Sequence, residues 1–139
     1  MRRIEEVIVD IAAAKAVLAQ QTIEVPSWAY GNSGTRFKVF GTPGTPRDPW
    51  EKIADAATVH RFTGLAPTVA LHIPWDKVDD YAALAEYAAG FGIALGTINS
   101  NTFQDDAYKF GSLTHSDDAI RQKAIDHHYE CIDIMGATG

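Results

Sequence analysis

TVALHIPWDK, residues 68 to 77, decides how this chain folds. Thr68 to Ile73 is a short run rich in β-branched and aliphatic residues, and Pro74 ends it, which predicts a buried strand. Side chains alternate across a strand, so Val69, Leu71 and Ile73 share one face while Ala70 and His72 share the other. An apolar face of that kind is covered by helices when strands and helices alternate.

The neighbouring segments do alternate. On the N-terminal side, Asp48 can cap a helix and Pro49 suits its first turn. Trp50, Ile53, Ala54 and Ala57 give that helix an apolar face, and Gly64 is a suitable stop. On the C-terminal side a helix is expected from about Asp79, with Tyr81, Leu84, Ala85 and Ala88 on one face and Gly90 and Gly92 closing it. Ile93 to Ile98 reads as the next strand. Thr114 or Ser116 is expected to cap a last helix running to about Met135, with Gly136 and Gly139 as stops.

Before all of these, residues 3–20 carry Ile4, Val7, Ile8 and Ile11 at helical spacing. Thr22 to Val25 alternates as a strand, and Pro26 follows. A Gly-, Pro- and Thr-rich loop then extends from about Ala29 to Asp48, and loops of that length are often functional.

The order is thus a helix followed by three strand–loop–helix units. Repeated alternation predicts a parallel sheet with right-handed crossovers. A doubly wound sheet and a piece of a (β/α)8 barrel both fit. A whole barrel takes about 250 residues, so the 139 residues here could supply about three of its eight units.

Composition excludes several classes. Hydrophobic residues make up 46% and charged residues 22%, as in a soluble globular domain. A formal net charge of −6 leaves no dense basic face for a phosphate backbone, so no nucleic-acid partner is expected. No apolar run approaches the roughly 20 residues of a membrane span, so no membrane partner is expected either. Cys131 is the only cysteine, which excludes a disulfide framework and favours a cytoplasmic location. Phosphate-binding loops, dinucleotide fingerprints, nucleophile elbows and HExxH are absent.

Polar and aromatic residues gather just after each strand: Ser27-Trp28, then His72 to Lys77, then Asn99 to Phe103. Ligand sites of parallel α/β folds lie at the carboxyl ends of their strands, so these three clusters are expected to meet on one rim. His72, near the top of its strand and pointing to the inner face, could exchange a proton with a substrate hydroxyl near pH 7. Trp28, Phe37, Trp75 and Phe103 could supply apolar walls for a sugar, whose C–H faces pack on aromatic rings. The adjacent His127 and His128 point in different directions on a helix and do not chelate together; one is expected to pack inward and the other to face water.

The segments VPSWAYGNSGTRF, ALHIPWDK, NSNTF and YKFGSLTH resemble the first three barrel strands and loops of L-rhamnose isomerases, and more broadly the xylose-isomerase-like barrels. The likeness runs from about residue 22 to the end. It implies the N-terminal portion of a (β/α)8 barrel, residues 1–139, truncated before strand four. It also implies aldose–ketose interconversion by a C1–C2 hydrogen shift on a small sugar, with a divalent metal, typically manganese. Carried over by position, His72 would assist ring opening or hold the C1 oxygen. Trp28, Trp75 and Phe103 would shape the apolar side of the pocket, and Phe37 would be a lid residue for its own or a neighbouring subunit's site. The family's metal ligands come from later strands, so no metal ligand is expected in this chain, and a homo-oligomer is expected of the full-length enzyme. A related sugar isomerase or epimerase is the nearest alternative. A non-catalytic α/β domain that needs a partner is the other.

Overall fold

The computed structural model describes residues 10–31 and 40–139. Helix α1 (Ile11–Leu18) is followed by strand β1 (Glu24–Pro26), helix α2 (Pro49–Thr63), strand β2 (Thr68–Ile73), helix α3 (Tyr81–Gly90), strand β3 (Ala94–Ser100) and helix α4 (Asp118–Thr138). Single turns of 3-10 helix occupy Ser27–Ala29 and Asp106–Tyr108. No helix among the described residues is long and apolar enough to cross a membrane.

The three strands form one parallel sheet in the order β1-β2-β3. Val69, Leu71 and Ile73, on one face of β2, are fully buried against Ile53, Ala56 and Ala57 of α2, Leu84 and Ala88 of α3, and Cys131 and Ile134 of α4. Trp50 and Tyr87 add an edge-to-face contact at 5.1 Å between α2 and α3. Strands thus succeed one another in one direction, with their crossover helices on one face. Helix α4, which follows β3, packs on this same face, so all three strand–helix units keep the arrangement of consecutive units in a (β/α)8 barrel.

Local chemistry explains most boundaries. The Asp48 carboxylate accepts the Glu51 N–H at 2.9 Å and Pro49 opens α2, while Gly64 ends it with a positive φ of 69°. Asp80 caps α3 in the same way, through the Ala83 N–H.

Four boundaries differ from expectation. Strand β1 begins at Glu24 rather than Thr22 and includes Pro26, which is tolerated because β1 is an edge strand. Strand β3 begins at Ala94 and continues to Ser100, two residues past Ile98, because the bonding partners on β2 continue to Ile73. Asp117, not Ser116 or Thr114, caps α4, its carboxylate accepting the Ala119 N–H at 2.8 Å. Gly136 does not stop α4, which continues to Thr138; an interior glycine costs only about 1 kcal/mol, too little to end a 21-residue helix.

Helix α1 is covered by nothing among the described residues, and all eight of its residues are exposed. Its cap at Asp10 and its run of alanines account for the helix locally. Ile4, Val7 and Ile8 lie outside the described residues.

Candidate functional site

His72 sits at the C-terminal end of β2, 5% exposed, on the sheet face opposite the helices. Three aromatic rings surround its imidazole, one from the segment after each strand. Trp75 stacks on it with centroids 3.7 Å apart and planes 15° from parallel. Trp28, from the turn that follows β1, meets it edge-on at 5.4 Å. Phe103, from the loop after β3, does the same at 5.8 Å and also meets Trp75 at 6.3 Å. The three rim clusters therefore converge. Phe37 lies outside the described residues.

Enclosure by rings sets the electrostatics. Burial pushes the His72 pKa below the ordinary 6.5; the Asp76 carboxylate opposes this, and His127 and Lys52 add to it. The imidazole is consequently neutral at pH 7. Its Nδ1 is buried and has no hydrogen-bond partner among the described residues. A neutral, partly unsatisfied imidazole can accept or return a proton when a substrate hydroxyl comes within reach.

Asp76 holds the frame beneath this ring, and sequence reading missed it. Its carboxylate is fully buried and accepts from three elements at once: Lys52 Nζ of α2 at 2.6 Å, the His72 backbone N–H at 2.7 Å, and the Ser27 hydroxyl at the end of β1. The Asp76 N–H returns to the His72 carbonyl at 2.8 Å. Lys52 is itself only 2% exposed. A buried charge is tolerable when it is paired and hydrogen-bonded, and the Asp76 carboxylate is paired with Lys52 and accepts from three donors. The Asp76–Lys52 spacing of 24 residues carries no motif, so only the fold could reveal the pair.

The two adjacent histidines depart from expectation. Neither faces water; both are half-buried. His127 Nε2 lies 3.1 Å from the Asn101 N–H and 3.2 Å from the Ile73 carbonyl, while its Nδ1 meets Glu130 at 3.0 Å. His128 Nε2 lies 3.3 Å from the Ser100 hydroxyl and its Nδ1 2.7 Å from the Ala124 carbonyl. The physical reason is that α4 crosses the carboxyl end of β3, so two side chains about 100° apart on the helix both reach strand-end groups.

A groove of about 480 Å³ opens beside this cluster, lined by Pro74, Trp75, Asn101, Gln104, Tyr108 and His127 among others. Trp75 Nε1 donates to Gln104 at 3.1 Å and Asn101 donates to the same oxygen at 2.9 Å, which anchors the indole against the β3 loop.

Metal chemistry finds no donor set here. No group of three or more His, Cys, Asp or Glu among the described residues is arranged to hold a metal ion. The nearest carboxylate to His72, that of Asp76, already accepts from Lys52, Ser27 and the backbone. The described residues do not fit a metal centre.

No protein-family model matches the chain. Two curated proteins do. A probable sugar isomerase of Rhizobium meliloti is 46% identical over 136 residues, which is 94% of this chain and 32% of that protein. A probable sugar isomerase of Mesorhizobium japonicum is 43% identical over 134 residues, 93% of this chain and 31% of that protein. This chain spans about a third of the length of these relatives, and over nearly all of its own length it is a homologue of proteins named as sugar isomerases.

Proposed function

We propose that this chain is the N-terminal portion of an aldose–ketose isomerase of the L-rhamnose type, shifting hydrogen between C1 and C2 of a small sugar. The observation that carries the reading is the neutral, buried His72 ringed by Trp28, Trp75 and Phe103 at the carboxyl ends of three successive parallel strands. Similarity to two probable sugar isomerases supports it.

Each residue then has a chemical task. His72 takes the proton from the C1 hydroxyl and returns it to the ring oxygen as the bond between C1 and that oxygen breaks, or holds the C1 oxygen as the sugar opens. The aromatic rings pack on the apolar C–H side of the sugar and exclude water from it, leaving its hydroxyls to polar neighbours. Asp76, Lys52 and Ser27 keep the His72 backbone at a constant height on the strand. Phe37, in the Gly-, Pro- and Thr-rich segment before α2, is proposed as a lid residue. A divalent cation, manganese by the family resemblance, belongs to this reading with ligands from outside the described residues; so do a homo-oligomer and a cytoplasmic location.

The test is a panel of aldoses and ketoses offered to the product of the full reading frame that carries this chain. Preferential turnover of L-rhamnose and L-rhamnulose supports the proposal. Turnover of a different aldose–ketose pair retains the reaction and replaces the substrate, epimer formation replaces the reaction, and no turnover of any sugar sinks the reading.

A further inference from the structure

Strands β2 and β3 slip register once. Val69 pairs with Leu95 and Leu71 with Ile98, so two steps along β2 match three along β3. The extra residue lies at Gly96–Thr97 and makes a β-bulge. Without it, Ile98 would fall beside His72 and Asn99 would point to the helices, because one step of slip inverts every later side chain. With it, Ile98 is 9% exposed in the core beside Leu71, and Asn99 stands next to His72 on the inner face.

Glu24 clamps this bulge from two strands away. Its carboxylate oxygens accept the Thr97 N–H at 3.1 and 3.3 Å. The path runs across Gly96, where a Cβ would lie 1.7 Å from Glu24 Oε2. Only glycine leaves room for the carboxylate. Asn99 is in turn oriented by its Nδ2, which donates to the Leu71 carbonyl at 3.2 Å. That leaves the second amide N–H, and an Oδ1 that no donor reaches among the described residues.

We propose that Asn99 is a further substrate-binding residue, hydrogen-bonding a sugar hydroxyl beside His72, and that Glu24 is the positioning residue whose hold on the β3 bulge puts it there. The identity of the ligand rests on the sugar-isomerase reading; the register and the clamp do not.

The experiment is steady-state kinetics of the full-reading-frame protein on its best sugar and on that sugar's monodeoxy analogues. One lost uncharged hydrogen bond corresponds to about three- to tenfold. Asn99→Ala is expected to raise KM about that much with kcat within about twofold, and to lose the penalty against one particular deoxy analogue. Glu24→Ala should reproduce both effects through the register, and Glu24→Gln, which keeps an acceptor oxygen, should restore most of the loss. An Asn99→Ala protein with unchanged KM and an unchanged penalty against every analogue overturns the proposal while leaving the isomerase reading intact. A wild-type protein inactive on every sugar overturns the isomerase reading and the Asn99 contact with it. If Glu24→Ala fails to fold, Asn99→Ala alone decides, since its side chain is half-buried on the inner face and outside the apolar core.

Discussion

Lys52 Nζ lies 2.6 Å from Asp76 Oδ1, with the two side chains 3% and 0% exposed. The pair joins the first turn of α2 to the tail of β2, and through Ser27 it also reaches the end of β1. It is the structural link between the helix layer and the strand ends that carry Trp28, His72 and Trp75.

Removing one partner should therefore be severe. Lys52→Ala strands the Asp76 carboxylate in the interior, with an expected loss of about 3–5 kcal/mol. A Lys52→Met, Asp76→Leu double variant removes both charges and is expected to recover part of that. Urea unfolding midpoints measure both, and a Lys52→Ala midpoint equal to wild type would show that water reaches the pair.

Protonation of His72 sets a pH window. Its folded pKa is depressed by burial, so below about 6.5 the unfolded chain takes up the proton first and stability falls. The loss accumulates from about pH 6.5 down to the folded pKa, and the contribution is fully present above 6.5. His72→Asn should flatten the stability–pH slope across that window. An unaltered slope would mean that the imidazole titrates as it does in water.

Trp75 should control that pKa. Trp75→Ala uncovers one face of the imidazole, weakens its desolvation and is expected to raise the His72 pKa towards 6.5. An NMR titration of the imidazole reads the shift directly. On the proposed isomerase reading, the same variant of the full-reading-frame protein should raise KM for sugar, because Trp75 is one of the proposed apolar walls. A downward or null pKa shift would count against the desolvation account.

Gly96→Ala tests the bulge by sterics alone. Its methyl group would occupy the place of Glu24 Oε2 and must expel the carboxylate from the Thr97 N–H. Because Glu24 and Thr97 are both exposed, water can replace the lost bond, and the stability cost should stay near 1 kcal/mol. Hydrogen exchange at the Thr97 amide should nevertheless rise sharply; protection equal to wild type would rule out the clamp.

Residues 1–139 on their own should neither bind manganese tightly nor isomerise L-rhamnose, since the described residues offer no converging set of metal donors. Calorimetric titration with manganese and a ketose assay check this. Turnover of L-rhamnose by the purified chain would refute it.

Much of the fold was legible because its rules are local. TVALHI is a strand over the predicted residues, Asp48-Pro49 and Gly64 bracket α2 as expected, and side-chain alternation on β2 correctly separates Val69, Leu71 and Ile73 from His72. Placement of aromatics just after each strand was enough to expect one rim, and Trp28, Trp75 and Phe103 do meet around His72. What tertiary structure alone decided are the pairings across elements. Lys52 carries no signal in the sequence, and only folding brings Asp76 within 2.6 Å of it. His127 and His128 read as a divided pair until the carboxyl end of β3 arrives beneath both. Ile98 reads as the end of the third strand and Asn99 as the start of the rim cluster, and only the bulge at Gly96–Thr97 sets which face each takes. Propensity and periodicity act within a few residues along the chain, whereas burial of charge and strand register are set by neighbours that become neighbours only on folding.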